Sequence, residues 1–268
     1  MIKEIEAKTF IGKSNLPEAD YVVNPYVGCT HSCSYCYARF MKRFTLHNEP
    51  WGSFVDVKMD ISKKTKKELE KIPDGSTILL SSVTDPYQPV EQKYKSTRAF
   101  LENAVGKNIN LSILTKSSLV LRDIDLLKKM PNVNVGLSFS SDNDNIRRIF
   151  EPGAGSVDEK LHALTVLHRE GIQTYAFLGP ILPEITDVDK IFSLLAGTSV
   201  DSIMAENLNM NGAVYTSVMN VISKHYPNLV TLYSQLKKHS GNYWEPIKDQ
   251  LVHLSSQYNI PLKIYFDH

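Results

Sequence analysis

Asn24-Pro25-Tyr26-Val27-Gly28-Cys29-Thr30-His31-Ser32-Cys33-Ser34-Tyr35-Cys36-Tyr37 contains all three cysteines of the chain, in the order Cys-x3-Cys-x2-Cys. An odd count packed this tightly is not a disulfide framework. It points to metal binding in a reducing compartment. Three thiolates at this spacing can each hold one iron of a cubane [4Fe-4S] cluster. The fourth iron then has no protein ligand and is open to another molecule. A zinc site is the alternative, with His31 as fourth ligand. Zinc ligands more often come as two pairs across a longer loop, and His31 lies close enough to Cys29 to strain a tetrahedron.

The chain around this motif has 268 residues, 42% of them hydrophobic, enough for a full core and one large domain. Lys+Arg 30 against Asp+Glu 29 leaves a net charge of +1, so no global field draws the protein to a phosphate backbone or an anionic membrane. The start, Met1-Ile2-Lys3-Glu4-Ile5-Glu6, is not an apolar leader. No stretch approaches the ~18 apolar residues of a membrane span. A cytoplasmic protein is expected, without a membrane partner.

Short apolar runs alternate with amphipathic segments. Strands are predicted at Val55-Lys58, Thr77-Ser82, Asn110-Thr115, Val133-Phe139, Gln173-Leu178 and Ser202-Ala205, with Leu262-Phe266 as one more. Helices are predicted at Ser62-Ile72, Asp123-Met130, from Ser156 to Gly171, and at Asp187-Leu195, Tyr215-Ser223, Leu229-His239 and Trp244-Tyr258. Ser156-x-x-Glu159 reads as a capping box, and Gly171 as the stop of that helix. This alternation predicts an α/β fold, a partial (open) TIM-type barrel of about six parallel β/α units. The predicted layout is a single domain over residues 1–268. It has a cluster loop at 24–39, a barrel core at about 55–207 and a C-terminal substrate-side segment at about 208–268. Chemistry in such folds gathers at the C-terminal strand ends. There the sequence places Thr84-Asp85, Lys116, Ser138 with Ser140, Gly179 and Glu206-Asn207-Asn209.

The cysteine motif, with Tyr35 just before Cys36, resembles the signature of radical SAM enzymes. Residues 24–39 are similar to the spore photoproduct lyase-like branch. So are Ser82-Val83-Thr84-Asp85-Pro86-Tyr87-Gln88-Pro89-Val90-Glu91, Thr115-Lys116-Ser117, Leu121-Arg122-Asp123, Glu151-Pro152-Gly153-Ala154 and the run from Pro180 to Asp187. The resemblance implies that Cys29, Cys33 and Cys36 hold the cluster and that its open iron binds S-adenosylmethionine (SAM). It further implies that reductive cleavage yields a 5′-deoxyadenosyl radical that takes hydrogen from a substrate. A reductant such as flavodoxin or ferredoxin would be the partner. Tyr35 is expected near the adenine, and Thr84 and Asp85 near the methionine or ribose. Lys116 and Ser138 are expected as polar SAM contacts, Lys116 against the carboxylate, and Gly179 where backbone nears the adenine. Each has a plainer reading: a turn at Asp85-Pro86, a solvated Lys116, a backbone-bonded Ser138, a loop at Gly179-Pro180. Asp123 is expected to cap its helix, and Arg122 with Glu151 to form a buried pair.

The branch uses a further cysteine as hydrogen-atom donor, and its position falls here at Ser82. A serine O–H bond is too strong for that task, so Tyr37 becomes the candidate catalytic donor; alternatively, SAM is consumed. Nucleic acid is a possible substrate, with Arg39, Lys42 and Arg43 as a basic rim. The lysines of 63–71 read as a wet helix face. The aromatics Tyr215, Tyr226, Tyr233, Tyr243 and Trp244 either stack a base or fill the core. Asn207, Asn209 and Asn211 are candidate substrate contacts.

Overall fold

The computed structural model describes residues 1–238 and 242–266. Its strands are β1 (Ile2–Ile5), β2 (Ile11–Lys13), β3 (Tyr21–Val23), β4 (Tyr26–Val27), β5 (Val55–Lys58), β6 (Thr77–Leu80), β7 (Asn110–Thr115), β8 (Asn132–Phe139), β9 (Gln173–Ile181), β10 (Ser202–Asn207) and β11 (Leu262–Tyr265). Eight of them form one sheet in the order β11-β10-β9-β8-β7-β6-β3-β2. Neighbours from β3 to β11 are parallel, and β2 is antiparallel to β3. The fold is therefore α/β with a mostly parallel, open sheet whose edges are β11 and β2.

The apolar runs form the middle of this sheet, and both faces are covered at its centre, in β8 and β9. In β8 every residue from Val135 to Phe139 is buried. Helix Val157–Arg169 opens as expected: Ser156 Oγ accepts from the Glu159 N–H, and the Ser156 N–H donates to Glu159 Oε2. Gly171 follows at φ +78°, the left-handed conformation that a side chain resists.

The structure corrects the expected layout in several places. β5 is not a barrel strand; it pairs with β1 and β4 in a separate three-stranded sheet. The main sheet begins earlier than residue 55, with β2 and β3, and takes in β11 from the C-terminal segment. The helix expected at Ser62-Ile72 is Ile61–Leu69. Helices Glu91–Tyr94, Ser96–Ala104 and Asp144–Phe150 are additional. Asp123-Met130 is a 3-10 segment, Ser118–Asp123, running into a short helix, Ile124–Leu127. The C-terminal helices are Gly212–His225, Val230–Lys238 and Trp244–Tyr258; His239 lies outside the described residues. Tyr233 and Trp244 are core residues, and Tyr226 stacks on Phe150, which accounts for three of the late aromatics. Among the described residues no helix is long and apolar enough to cross a membrane.

Candidate active site

Between β4 and the 3-10 segment Tyr37–Phe44 the chain carries the three cysteines in an irregular loop. Cys29 and Cys33 are buried and Cys36 is partly buried, all as free thiols. The loop is held by side chains from elsewhere. Thr84 Oγ1 donates to the Gly28 carbonyl at 2.6 Å. Gln88, fully buried, donates through Nε2 to that carbonyl (3.1 Å) and to Thr84 Oγ1 (2.9 Å). Its Oε1 accepts the Thr30 N–H at 3.0 Å. Gln88 thus ties the backbone on both sides of Cys29. Arg39 covers the other end, donating to the carbonyls of Cys33, Ser34 and Cys36.

Asp85 stands behind this loop. Its carboxylate accepts from the Tyr87 N–H, Thr115 Oγ1 and the Lys116 N–H at 2.7–2.8 Å, and His31 Nε2 lies 3.1 Å away. Burial opposes its ionisation. The His31 ring and these donors outweigh burial and hold the carboxyl below its ordinary range. His31 Nδ1 donates to the Gly153 carbonyl at 2.8 Å. Both ring nitrogens of His31 therefore face groups other than the cysteines.

A second constellation lies beside Cys33. Glu151 is fully buried, and its Oε1 accepts from the Tyr35 hydroxyl and from Ser140 Oγ. Lys116 Nζ lies 3.1 Å from the same oxygen, donates to Ser138 Oγ at 2.6 Å, and sits 5.4 Å from the Tyr35 ring centre. Ser138 Oγ in turn donates to the Gly179 carbonyl at 3.3 Å. Lys160, also buried, reaches Glu151 Oε2 at 3.7 Å and donates to the Ser138 carbonyl at 2.9 Å. Desolvation pushes the Glu151 carboxyl up and the Lys160 ammonium down, each opposed by the other's charge. Tyr35, Lys116, Ser138 and Gly179, four expected site residues, thus meet at the C-terminal ends of β7, β8 and β9.

Comparison with known proteins places this arrangement. Residues 23–195 match the radical SAM superfamily. An uncharacterised protein of Methanocaldococcus jannaschii is 42% identical over 190 residues, 71% of each chain. Spore photoproduct lyase of Bacillus subtilis is 25% identical over 179 residues, 65% of this chain and 49% of that one. A solved spore photoproduct lyase mutant with dinucleoside spore photoproduct superposes with a TM-score of 0.70 at 18% identity, covering 99% of this chain and 82% of that chain.

The chain belongs to the radical SAM superfamily. It is an enzyme whose cofactors are a [4Fe-4S] cluster and SAM, and it is similar in sequence and fold to spore photoproduct lyase. The residues fit the radical SAM cluster. Burial pushes all three thiols up: the charges of Asp85, Cys33 and Cys36 add to this at Cys29, and those of Glu151, Cys36 and Asp85 at Cys33. A cubane does not need the three sulfurs to converge on one point, since each sulfur meets a different iron. His31, turned to Gly153 and Asp85, is not placed as a fourth ligand beside the cysteines. Glu151 Oε2 and Asn207 Oδ1 are buried without hydrogen-bond partners.

The remaining expected residues fall as follows. Thr84 and Asp85 are engaged by Gly28, Gln88, Tyr87, Thr115 and Lys116, so their polar groups are taken up within the protein. A Cβ at Gly179 would lie 2.1 Å from the Phe177 ring, which explains the glycine by packing. Tyr37 is half exposed, while its hydroxyl donates to the Ser82 carbonyl. Burial of that hydroxyl end, with the charges of Cys36 and Glu206, pushes the phenol up to about 12. Arg122 pairs with Glu91 and Asp123 instead of Glu151. Asp123 does not cap its helix; Arg98 and Arg122 take its carboxylate. Sequence reading missed Gln88, inside the similar block, and Lys160. A signal for Lys160 was present: Val157, Lys160, Leu164 and Leu167 form one helical stripe, and a lysine in an apolar stripe is out of place.

Proposed function

We propose that this enzyme abstracts hydrogen from a nucleic acid, a nucleotide or another small organic substrate, without a cysteine hydrogen donor. The convergence of Tyr35, Lys116, Ser138 and Gly179 beside Cys33 carries the reading. Bound together, the cluster and SAM supply a 5′-deoxyadenosyl radical. Cys29, Cys33 and Cys36 hold the cluster. Lys116 offers its ammonium to the SAM carboxylate, Ser138 and the Gly179 backbone line the pocket, and Tyr35 packs toward the adenine. Thr84 and Asp85 fix the pocket wall from behind. The sheet curls into an open barrel of about six β/α units in one domain, with residues from about 208 on the substrate side. A flavodoxin- or ferredoxin-type reductant supplies the electron.

Tyr37 is the proposed donor of the returning hydrogen, since the chain has only its three motif cysteines and Ser82 stands where the branch places a fourth. The nucleic-acid reading is supported by the dinucleoside bound to the solved neighbour. It is also supported by the rim of the site: Phe40 and Phe44 are exposed, and the Arg43 guanidinium lies 5.5 and 4.6 Å from their ring centres. Aromatic faces next to a guanidinium suit stacked bases.

Anaerobic reconstitution tests the reading. Protein loaded with about four irons should release 5′-deoxyadenosine from SAM and dithionite. It should bind single-stranded oligonucleotides with an affinity that falls as salt rises. Iron-loaded protein that never cleaves SAM would defeat the enzyme reading. Cleavage without oligonucleotide binding at low salt would leave the small-molecule substrate.

A further inference from the structure

Lys116, Glu151 and Lys160 form a buried set with two cations and one anion. Glu151 lies 3.1 Å from Lys116 and 3.7 Å from Lys160. Both lysines also converge on Ser138, one at its hydroxyl and one at its carbonyl. Glu151 and Lys160 are closed off from solvent, and only Lys116 has part of its side chain open, 15%. Neutral donors, the Tyr35 and Ser140 hydroxyls, complete Glu151 Oε1. A surplus positive charge held out of water is costly unless a negative group arrives. The one open member of the set is where that group can land.

We propose that Lys160 is a positioning residue: by sharing Glu151 with Lys116 from the closed side, it leaves the three-residue set with a net positive charge, open at Lys116, for the carboxylate of SAM. This rests on the assignment of Lys116 to the SAM carboxylate. Without Lys160, Glu151 and Lys116 become a neutral one-to-one pair turned toward each other. An incoming carboxylate then has to break that pair. Removing Glu151 as well returns the set to a single free cation, so the double change restores what the single change loses.

The test measures binding of SAM and of 5′-methylthioadenosine, which lacks the methionine carboxylate, to reconstituted protein. Lys160→Met should raise the Kd for SAM about tenfold, the scale of one charge-assisted hydrogen bond, and leave methylthioadenosine within about twofold. Lys160→Met with Glu151→Gln should bring SAM back to within about threefold of the parent. Glu151→Gln alone, which keeps both lysines, should bind SAM no more weakly than the parent; this variant decides the matter if Lys160→Met does not fold. Equal losses for both nucleosides, no rescue in the double variant, or weaker SAM binding in Glu151→Gln would overturn the proposal. Lys116→Ala separates the two readings. If it weakens SAM binding while Lys160→Met does not, only the role of Lys160 falls. If Lys116→Ala changes nothing, the pocket assignment falls and this inference with it.

Discussion

Gln88→Ala should damage the cluster loop more than any sequence pattern around Gln88 suggests. The side chain is fully buried and makes three close contacts, at 2.9, 3.0 and 3.1 Å, to Thr84, Thr30 and Gly28. Each neutral hydrogen bond contributes about 1 kcal/mol net, and a shielded donor left bare costs about 1–3 kcal/mol more. The Gly28 carbonyl keeps Thr84, but the Thr30 N–H loses its acceptor. The expected loss is therefore about 4–6 kcal/mol, or about 8–24 °C in Tm for a chain of this size. Because Gly28 and Thr30 flank Cys29, the loss falls on the ligand loop. Reconstituted variant protein should carry less iron and absorb more weakly in the cluster band than the parent. Gln88→Glu should be no better, since an anion would face the Gly28 carbonyl. Thermal melts by circular dichroism and iron assays read both effects. A variant that melts within about 2 °C of the parent and loads the same iron would show that Gln88 does not position the loop.

Asp85 has a depressed carboxyl, so its contribution is present above the unfolded value of about 3.9 and is lost as pH falls through the lower folded value. The Tm gap between the parent and Asp85→Asn should be wide at neutral pH and narrow below about pH 4; a constant gap would refute the assignment. Tyr37→Phe should lose only about 1 kcal/mol of stability, keep its cluster, and lack any phenoxyl signal in freeze-quenched spectra during turnover. No such signal in the parent would remove Tyr37 as the hydrogen donor.

The sequence showed most where one residue type has one physical use. Three clustered thiols admit few chemistries, and a run such as residues 135–139 has one way to be covered on both faces. Ser156 and Glu159 announced a helix start because the capping box is local. What stayed hidden depends on distant partners. Glu151 is 116 residues from Tyr35 and 11 from Ser140, and nothing in its own segment names Lys116 or Lys160 as its partners over Arg122. Gln88 lies within a turn-rich block where a glutamine reads as surface. β5 looked like a barrel strand because its pattern, Val-Asp-Val-Lys, does not say which sheet it joins; only its pairing with β1 and β4 does. Lys160 alone carried a local warning, an ion on the apolar face of an otherwise ordinary helix.

The loop that carries the thiols is held by protein groups on several sides. Gln88 and Thr84 fix the approach to Cys29, and Arg39 spans the carbonyls from Cys33 to Cys36. Gly153 closes the remaining side: its N–H donates to the His31 carbonyl, and a Cβ there would lie 2.2 Å from the Thr30 carbonyl oxygen. Small metal-folded domains have no such bracing, because the ion itself organises the ligands and its removal unfolds them. Here the ordering entropy of the loop is met by hydrogen bonds that need no iron. On the proposed reading, the binding energy of iron would then be available for drawing protons from two buried thiols and one partly buried thiol whose surroundings resist ionisation. The same economy explains why Asp85 is worth burying beside them: its charge opposes the thiolates, yet it anchors both the His31 side of the loop and the backbone of Lys116. One carboxylate thereby joins the loop of the cysteines proposed to hold the cluster to the backbone of the lysine proposed to meet its ligand.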